Sequence, residues 1–439
     1  MTATSADKVS PTPDLARPPV SRAQAGWALA VLTAIISMNY LDRNVISILL
    51  DSIKKDLQLS DTVMGLVTGF SFALMYSILG IPIARLADRG NRRVIITLGL
   101  LGWSAMTMLS GVARNVYQLA VARLLVGIGE SCDMAPSVSM ISDYYPKEAR
   151  ARALSILTTG AYIGSFLGLF VGGVVNQYYG WRISFAVAGT PGILLAIVLF
   201  LSVREPLRGA AELRPPTAER LPSLGVTLRF LFTQKSLVLV LVGAALMYFN
   251  IYAFAFWTAP FLGRVHHLTS AQIGSISGTI TGLCGIGGAL FGGFLVERLA
   301  KRDNRWLLGI PAIAWIVATP IEFFVLFEPD TGIMWIGLAV MIFITTMYAG
   351  PIWSVTQTVA KVRMRSLAFS IFVFLNNIFG LAVSNFVVGR ASDYFKPEYG
   401  NDSIRYALVI PVFVGLAAAL LFAWGTRYIR EDIRAAEEP

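Results

Sequence analysis

Ala28 to Leu50 reads ALAVLTAIISMNYLDRNVISILL. The run is long enough to cross a bilayer as one helix, since about 20 predominantly apolar residues span the hydrocarbon core. Only Asp42 and Arg43 are charged, and they stand well inside it. A charge at that depth is costly, so it faces a protein interior or a wet cavity and marks a path for substrate or ions. Arg123, Glu130 and Asp133 form a second cluster in another apolar run. Two charge clusters inside a bilayer point to a transporter of something charged. The blander alternative is a buried ion pair that only fixes helix packing, and such a pair is a poor stability device.

The rest of the chain has the same character. Its 439 residues are 55% hydrophobic and 14% charged, where soluble domains carry about 25% charged residues. Twelve apolar runs are long enough to span, at roughly 26–51, 63–84, 93–112, 117–141, 153–176, 183–203, 237–262, 271–296, 306–327, 332–358, 367–389 and 404–426. The expected fold is an all-α membrane protein of twelve transmembrane helices. Residues 1–24 are polar, rich in Pro and Ser, and lack the apolar core of a signal peptide, so a disordered cytoplasmic tail is expected. Cys132 and Cys284 both fall in apolar runs, which implies no disulfide framework. His266 and His267 have no Cys or carboxylate partners at ligand spacing, so neither a metal site nor a cofactor is expected.

A net charge of +10 invites a nucleic-acid reading, but its distribution argues for topology. Cytoplasmic loops attract Lys and Arg. With the N-terminus inside, the inside loops hold Arg85, Arg89, Arg92, Arg93, Lys147, Arg150, Arg298, Lys301, Arg302, Lys361, Arg363 and Arg365. The outside loops hold far fewer. An even number of spans then puts both termini in the cytoplasm of a cell whose inner or plasma membrane holds the chain, and nucleic acid is not needed as a partner.

Residues 204–235 carry Arg204-Glu205-Pro206, Pro215-Pro216 and several charges, so they read as a cytoplasmic linker between two six-helix bundles, 25–203 and 236–427. A short tail, 428–439, follows. The halves echo each other. Gly80 and the run Asp88-Arg89-Gly90-Asn91-Arg92-Arg93 follow the second span, and Gly292, Gly293, Glu297, Arg298, Lys301 and Arg302 follow the eighth. Arg152-Ala153-Leu154-Ser155-Ile156 opens the fifth span as Arg365-Ser366-Leu367-Ala368-Phe369-Ser370-Ile371 opens the eleventh. A duplicated bundle places a substrate site between the halves near the midplane.

The loop 88–93 resembles the signature of the major facilitator superfamily, with Asn91 where that pattern has Gly. Asn tolerates left-handed backbone better than most residues, so the turn is expected to survive. The resemblance implies that Asp88, with Arg89, Arg92 and Arg93, belongs to a cytoplasmic gate bridging the halves. Gly160, Gly164, Gly168 and Gly172 line one face of the fifth span, which allows close backbone approach. The superfamily uses such a face where this helix meets the second half, but the Gly-Pro of antiporters is missing, and packing is the favoured reading.

Within the superfamily the first half is similar to Spinster-type lysolipid and sphingolipid transporters. The shared residues are Asn39-Tyr40-Leu41-Asp42-Arg43, Ser60-Asp61 with Gly65-Leu66, Asp88-Arg89 with Asn91-Arg92, Arg123 with Gly127-Ile128-Gly129-Glu130-Ser131, Ala135-Pro136-Ser137 and Ser142-Asp143-Tyr144-Tyr145-Pro146. The second half matches weakly. Organic-anion/proton symporters also carry a Tyr-Leu-Asp-Arg first helix and a Glu in the fourth.

Arg123 and Glu130 are seven apart and Glu130 and Asp133 three apart, so on a helix they share a face. The resemblance implies that Arg43 pairs with Glu130 and that Asp42 and Arg123 complete the network. Asp42 and Glu130 are expected to couple protons, and Arg43 to contact an anion, with Arg123 and Asp133 beside it. The second half offers Tyr248, Tyr252, Trp257, Trp353, Gln357, Phe372 and Asn376 as a more apolar wall. Charged and apolar walls together suit an amphipath with a charged head and an acyl tail. The expectation is therefore a secondary active transporter, monomeric by analogy with its family, moving an anionic or zwitterionic lipid with protons; the alternative is a proton-coupled symporter of small carboxylates. Glu322 in the ninth span is expected to serve packing. No nucleophile–base pair argues for an enzyme, and no Walker A pattern argues for an ATP-driven pump.

Overall fold

The computed structural model describes residues 21–208, 224–361 and 364–437. Most of the expected tail 1–24 and the middle of the linker lie outside these, as do the side chains of Asp88 and Gln357. Among the described residues there is no strand.

Twelve helical segments follow in order. α1 is Arg22–Leu57, α2 comprises Asp61–Gly65, Leu66–Phe70 and Ser71–Arg89, α3 is Arg92–Ser110, and α4 comprises Val116–Glu130 and Met134–Tyr144. The stretch Lys147–Ser202 turns at Gly180 into α5 (147–179) and α6 (181–202). α7 is Lys235–Val265, α8 Ser270–Ala300 and α9 Trp306–Phe327. α10 comprises Thr331–Thr345, Thr346–Tyr348 and Ala349–Thr358, α11 comprises Arg365–Asn376, Asn377–Ser384 and Asn385–Tyr399, and α12 is Ser403–Gly425. Short helices Leu224–Thr233 and Ile429–Glu437 precede α7 and follow α12. By length and composition, nine stretches of the described residues could cross a membrane. Two of these hold two crossings each, joined at Gly180 (φ 82°) and Gly400 (φ 55°), where a side chain would resist the left-handed backbone. α4 escapes the count because the turn at 131–133 divides it into helices of 15 and 11 residues, each short for a crossing.

Side chains cap the first turn of six of these twelve helices. Ser21 and Gln24 form a reciprocal capping box, as do Thr269 and Gln272. Asn91 corrects the expectation of a left-handed turn: its φ is −83°, and its side chain caps α3 by accepting from Val94 N at 3.1 Å. Asn serves there as an N-cap, which Gly does without a side-chain acceptor.

Gly160, Gly168 and Gly172 press against α1, where an added Cβ would lie 2.6 Å from Thr33 O, 2.6 Å from Leu41 O and 2.7 Å from Val45 Cγ2. That glycine face therefore packs within the first half, and the next glycine, Gly173, meets Gly274 of α8 across the halves. Among the described residues the close contacts between the halves run from the far end to mid-helix, where Gly285 of α8 meets Tyr162 of α5. Away from the chain termini, Gly65 and Gly69 of α2 fit against Asn385 and Leu381 of α11, and Asn176 Nδ2 donates to Ser270 Oγ at 2.9 Å. Towards the terminal face, a Cβ on Gly80 of α2 or Gly293 of α8 would meet nothing within 4 Å. Leu86, Leu290, Phe294 and Phe374 are exposed there. The molecule is sealed at the far face and splayed at the terminal face.

Candidate functional site: a charged wall and an aromatic wall

The intramembrane charges converge on α1 and α4. Asp42 is 3% exposed and accepts from Arg123 Nη2 at 2.8 Å and from Thr107 Oγ1 at 2.6 Å. Arg43, one residue on, turns the other way and donates Nε to Glu130 Oε2 at 2.8 Å. Glu130 is fully buried, and its Oε1 has no hydrogen-bond partner among the described residues. Arg43 retains some exposure, its side chain being 12% accessible, and lies over the rings of Tyr76, Phe72 and Tyr40 at 4.7, 5.0 and 5.4 Å. Rings around a guanidinium stabilise its charge where water is scarce.

α4 differs from the continuous 117–141 helix expected from its apolar run. It breaks at 131–133, where Cys132 N and Asp133 N turn back to Gly129 O and Glu130 O at 3.1 and 3.2 Å. Just before the break, two glycines let neighbouring helices come close: a Cβ on Gly129 would lie 2.7 Å from Trp103 Cβ, and one on Gly127 would lie 2.6 Å from Phe72 O. The turn separates Glu130 from Asp133, whose carboxylate instead accepts from Ser137 Oγ at 2.9 Å.

The opposing wall is aromatic. Tyr248 stacks on Tyr252 at 5.9 Å and meets Tyr348 and Phe372 edge-on at 5.6 and 6.1 Å. Phe372 stacks on Phe369, which meets Trp353 at 5.8 Å. Tyr252 packs against the same first-half core cluster as Tyr40 and Tyr76. Asn376 is buried nearby in sequence, and its Oδ1 has no hydrogen-bond partner among the described residues. Trp257 is not part of this wall: it is fully buried and packs under the far seal, close to Gly389. Glu322 is buried inside the second half, where Asn250 Nδ2 donates to it at 3.0 Å and to Pro411 O at 2.8 Å.

Arg92 and Arg93 lie on the terminal face and bind the chain leaving α6. Arg92 is 1% exposed and donates to Glu205 at 2.7 Å, Asp143 at 2.5 Å and Pro206 O at 3.1 Å. Arg93 N donates to Glu205 at 2.9 Å, while Arg89 is exposed.

The far seal is a polar cluster that the sequence reading did not find. Arg264, at the end of α7, donates to Asp51 of α1 at 2.5 Å and to Asp61 of α2 at 2.6 Å. Asp61 is fully buried and also takes Lys54 Nζ at 2.5 Å and Ser392 Oγ of α11 at 2.7 Å. Asp393 of α11 accepts from Asp61 N and Thr62 N, the first turn of α2, at 3.1 and 2.7 Å, a favourable place for a carboxylate. The available signal was an acid straight after the helix-capping Ser60, paired with a lone Arg closing a span.

Two six-helix halves, charges buried inside the first beside an aromatic cluster of the second, and a polar seal at one face give the architecture of a membrane transporter. A model of the Major Facilitator Superfamily matches residues 32–384, and the chain belongs to that family, as a transporter of the Spinster type. It is similar to an MFS-type efflux pump of Mycolicibacterium smegmatis, at 31% identity over 94% of this chain and 95% of that one. It is 29% identical to protein spinster homolog 1 of Xenopus laevis over 93% of this chain and 81% of the relative. The crystal structure of a bacterial homolog of the human lysosomal transporter Spinster, inward-facing and unoccupied, superposes with a TM-score of 0.85 at 26% identity, covering 94% of this chain and 99% of that one.

Proposed function

We propose that this secondary transporter moves an amphipathic anion or zwitterion, such as a lysophospholipid or a sphingoid phosphate, coupled to protons. The observation that carries the reading is the contrast between the two cavity walls: Arg43 with Glu130 on one side, stacked aromatics on the other. A headgroup phosphate competes with Glu130 for Arg43, and a displaced carboxylate in a dry site gains a proton. Asp42, held by Arg123, is the second proton-coupling carboxylate, and Asp133 lies beside the headgroup. Tyr248, Tyr252, Trp353 and Phe372 take the acyl chain, with Gln357 and Asn376 as polar contacts. The termini face the cytoplasm, so the sealed far face is external and the described conformation opens inward. In the outward-open state the gate is remade by Asp88, Arg89, Arg92 and Arg93. The likeness to an efflux pump supports export as the direction, by a monomer in the cell membrane.

The test is binding of purified wild type and Arg43→Ala to lysophospholipids, sphingoid phosphates and short organic acids at about pH 5.5 and 7.5. Lysolipid binding that depends on pH and on Arg43 supports the reading. Selective binding of short acids instead moves the chain to the carboxylate symporters and leaves the aromatic wall a packing role.

A further inference from the structure

The last helix, Ile429–Glu437, has two distinct faces. Ile429 and Ile433, four apart, are 0% and 6% exposed and join the core of the second half. Asp432 accepts from Ser236 N at the start of α7 at 2.6 Å, which fixes the helix against the bundle. Arg430 and Arg434, also four apart, point elsewhere. With the turn after α8 they line a recess of about 380 Å³ that includes Lys301, Arg302, Asp303 and Asn304.

The charge of this recess is unbalanced. Four cations share one carboxylate, Asp303, which already accepts from Arg430 Nε at 3.0 Å and Nη2 at 2.5 Å and from Arg305 N at 2.9 Å. The amide of Arg305, with Arg430 beside it, holds the Asp303 carboxyl below the usual carboxylate range, so it stays charged. Lys301 also meets Glu297 at 2.9 Å, but both are 72% exposed, and such a pair binds weakly. Arg302 and Arg434 have no acidic partner among the described residues. The recess lies between the end of α8 and Trp306, which opens α9, and Trp424 near the end of α12 is 49% exposed. Tryptophans of that kind mark the headgroup level of a membrane.

We infer that this recess binds a phosphate-bearing anion, with Arg302 and Arg434 supplying the unspent guanidinium forks and Arg430 held ready by Asp303. The guanidinium fork matches phosphate oxygens two at a time. Two sources have that chemistry: the headgroup of an anionic lipid in the adjoining leaflet, or a free phosphate. The position at headgroup level favours the lipid, since basic recesses on the cytoplasmic side take such headgroups. The inference rests on the orientation given under Proposed function, but its ligand and residues are separate from the cavity.

The experiment uses the full chain, delipidated in detergent, and measures retention of phosphatidylglycerol against phosphatidylcholine by native mass spectrometry. Wild type, Arg302→Gln/Arg434→Gln and, as control, Arg85→Gln of the first half are compared. All three positions are exposed, so folding is not at stake. Wild type and Arg85→Gln should retain phosphatidylglycerol about tenfold better than phosphatidylcholine, and the double variant should lose that preference. If neither lipid is favoured, but inorganic phosphate raises the melting temperature of wild type and not of the double variant, the site holds and its source is a soluble phosphate. Equal lipid retention and equal phosphate response in wild type and double variant overturn it. Lysolipid binding in the cavity, lost in Arg43→Ala, should be unchanged in the double variant, which keeps failure here distinct from failure of the proposed transport function.

Discussion

Replacing Arg264 with Gln should unlatch the far face. Arg264 is the bridge between α7 and the acids of α1 and α2, and its side chain is only 13% exposed. Removing one member of a buried ion pair costs about 3–5 kcal/mol when its partner is stranded. Two features of the cluster reduce that figure. Asp61 keeps Lys54 at 2.5 Å and Ser392 at 2.7 Å, and the Asp51 side chain is 41% exposed and regains water. A loss of about 2 kcal/mol is the reasonable expectation, borne only by the conformer that has the cluster formed. That amounts to a shift of about 30-fold between far-sealed and far-open conformers. Spin labels at Lys55 and Glu398, both exposed at the far ends of α1 and α11, report it in a background with Cys132 and Cys284 replaced by Ser. Double electron–electron resonance should show a new, longer distance population in Arg264→Gln. An unchanged distribution would refute the reasoning and leave the helix seams, not the ion cluster, as what holds the far face shut.

Three further outcomes follow from the same geometry. Gly173→Leu forces a branched side chain against Ser270 O and Gly274 Cα, so it should favour the far-open conformer in the same labelled background; a wild-type distance distribution would count against a tight α5–α8 seam. Glu322→Gln keeps the shape and the acceptor for Asn250 and should leave thermal stability within about 0.5 kcal/mol, whereas Glu322→Ala leaves Asn250 Nδ2 with Pro411 O as its one acceptor and opens space, costing about 2–3 kcal/mol; equal melting temperatures for the two variants would show that the contact with Asn250 contributes nothing. Burial, with Arg405 nearby, holds the His266 imidazole below the usual histidine range, so it is neutral near pH 7 and its proton uptake, which would destabilise the fold, comes only at lower pH. His266→Gln should then leave the transport profile between about pH 6.5 and 8 unchanged, and an altered profile in that window would show that His266 titrates there.

Much of the fold was legible because it rests on long apolar runs, and the cavity because charges inside such runs are rare. Asp42, Arg43, Arg123 and Glu130 stood out for that reason, and the repeat of the 88–93 loop pattern after the eighth span gave the two halves. Helix ends were less legible. α1 runs to Leu57 and α11 to Tyr399, past the expected ends at 51 and 389, because their polar last turns project beyond any apolar core and are held by contacts distant in sequence. The wide-turn segments Leu66–Phe70 and Asn377–Ser384 and the break in α4 leave no trace in hydropathy, since each depends on a facing helix. The far latch was missed because Arg264 lies 213 positions from Asp51 and Ser392 lies 331 from Asp61, and charges near span ends read as ordinary loop residues. Trp257 was grouped with the cavity because α7 is apolar all round, and periodicity cannot then say which face meets the substrate.

Proton coupling through the charged wall is the central claim, and flux in proteoliposomes tests it most directly. Wild type and Asp42→Asn would be reconstituted with a labelled lysophospholipid, and transport followed with and without an imposed proton gradient. Wild type should accelerate by about tenfold with the gradient, whereas Asp42→Asn, which retains the shape but not the carboxylate, should show no gradient dependence. Gradient-driven lysolipid flux that survives in Asp42→Asn would contradict the account.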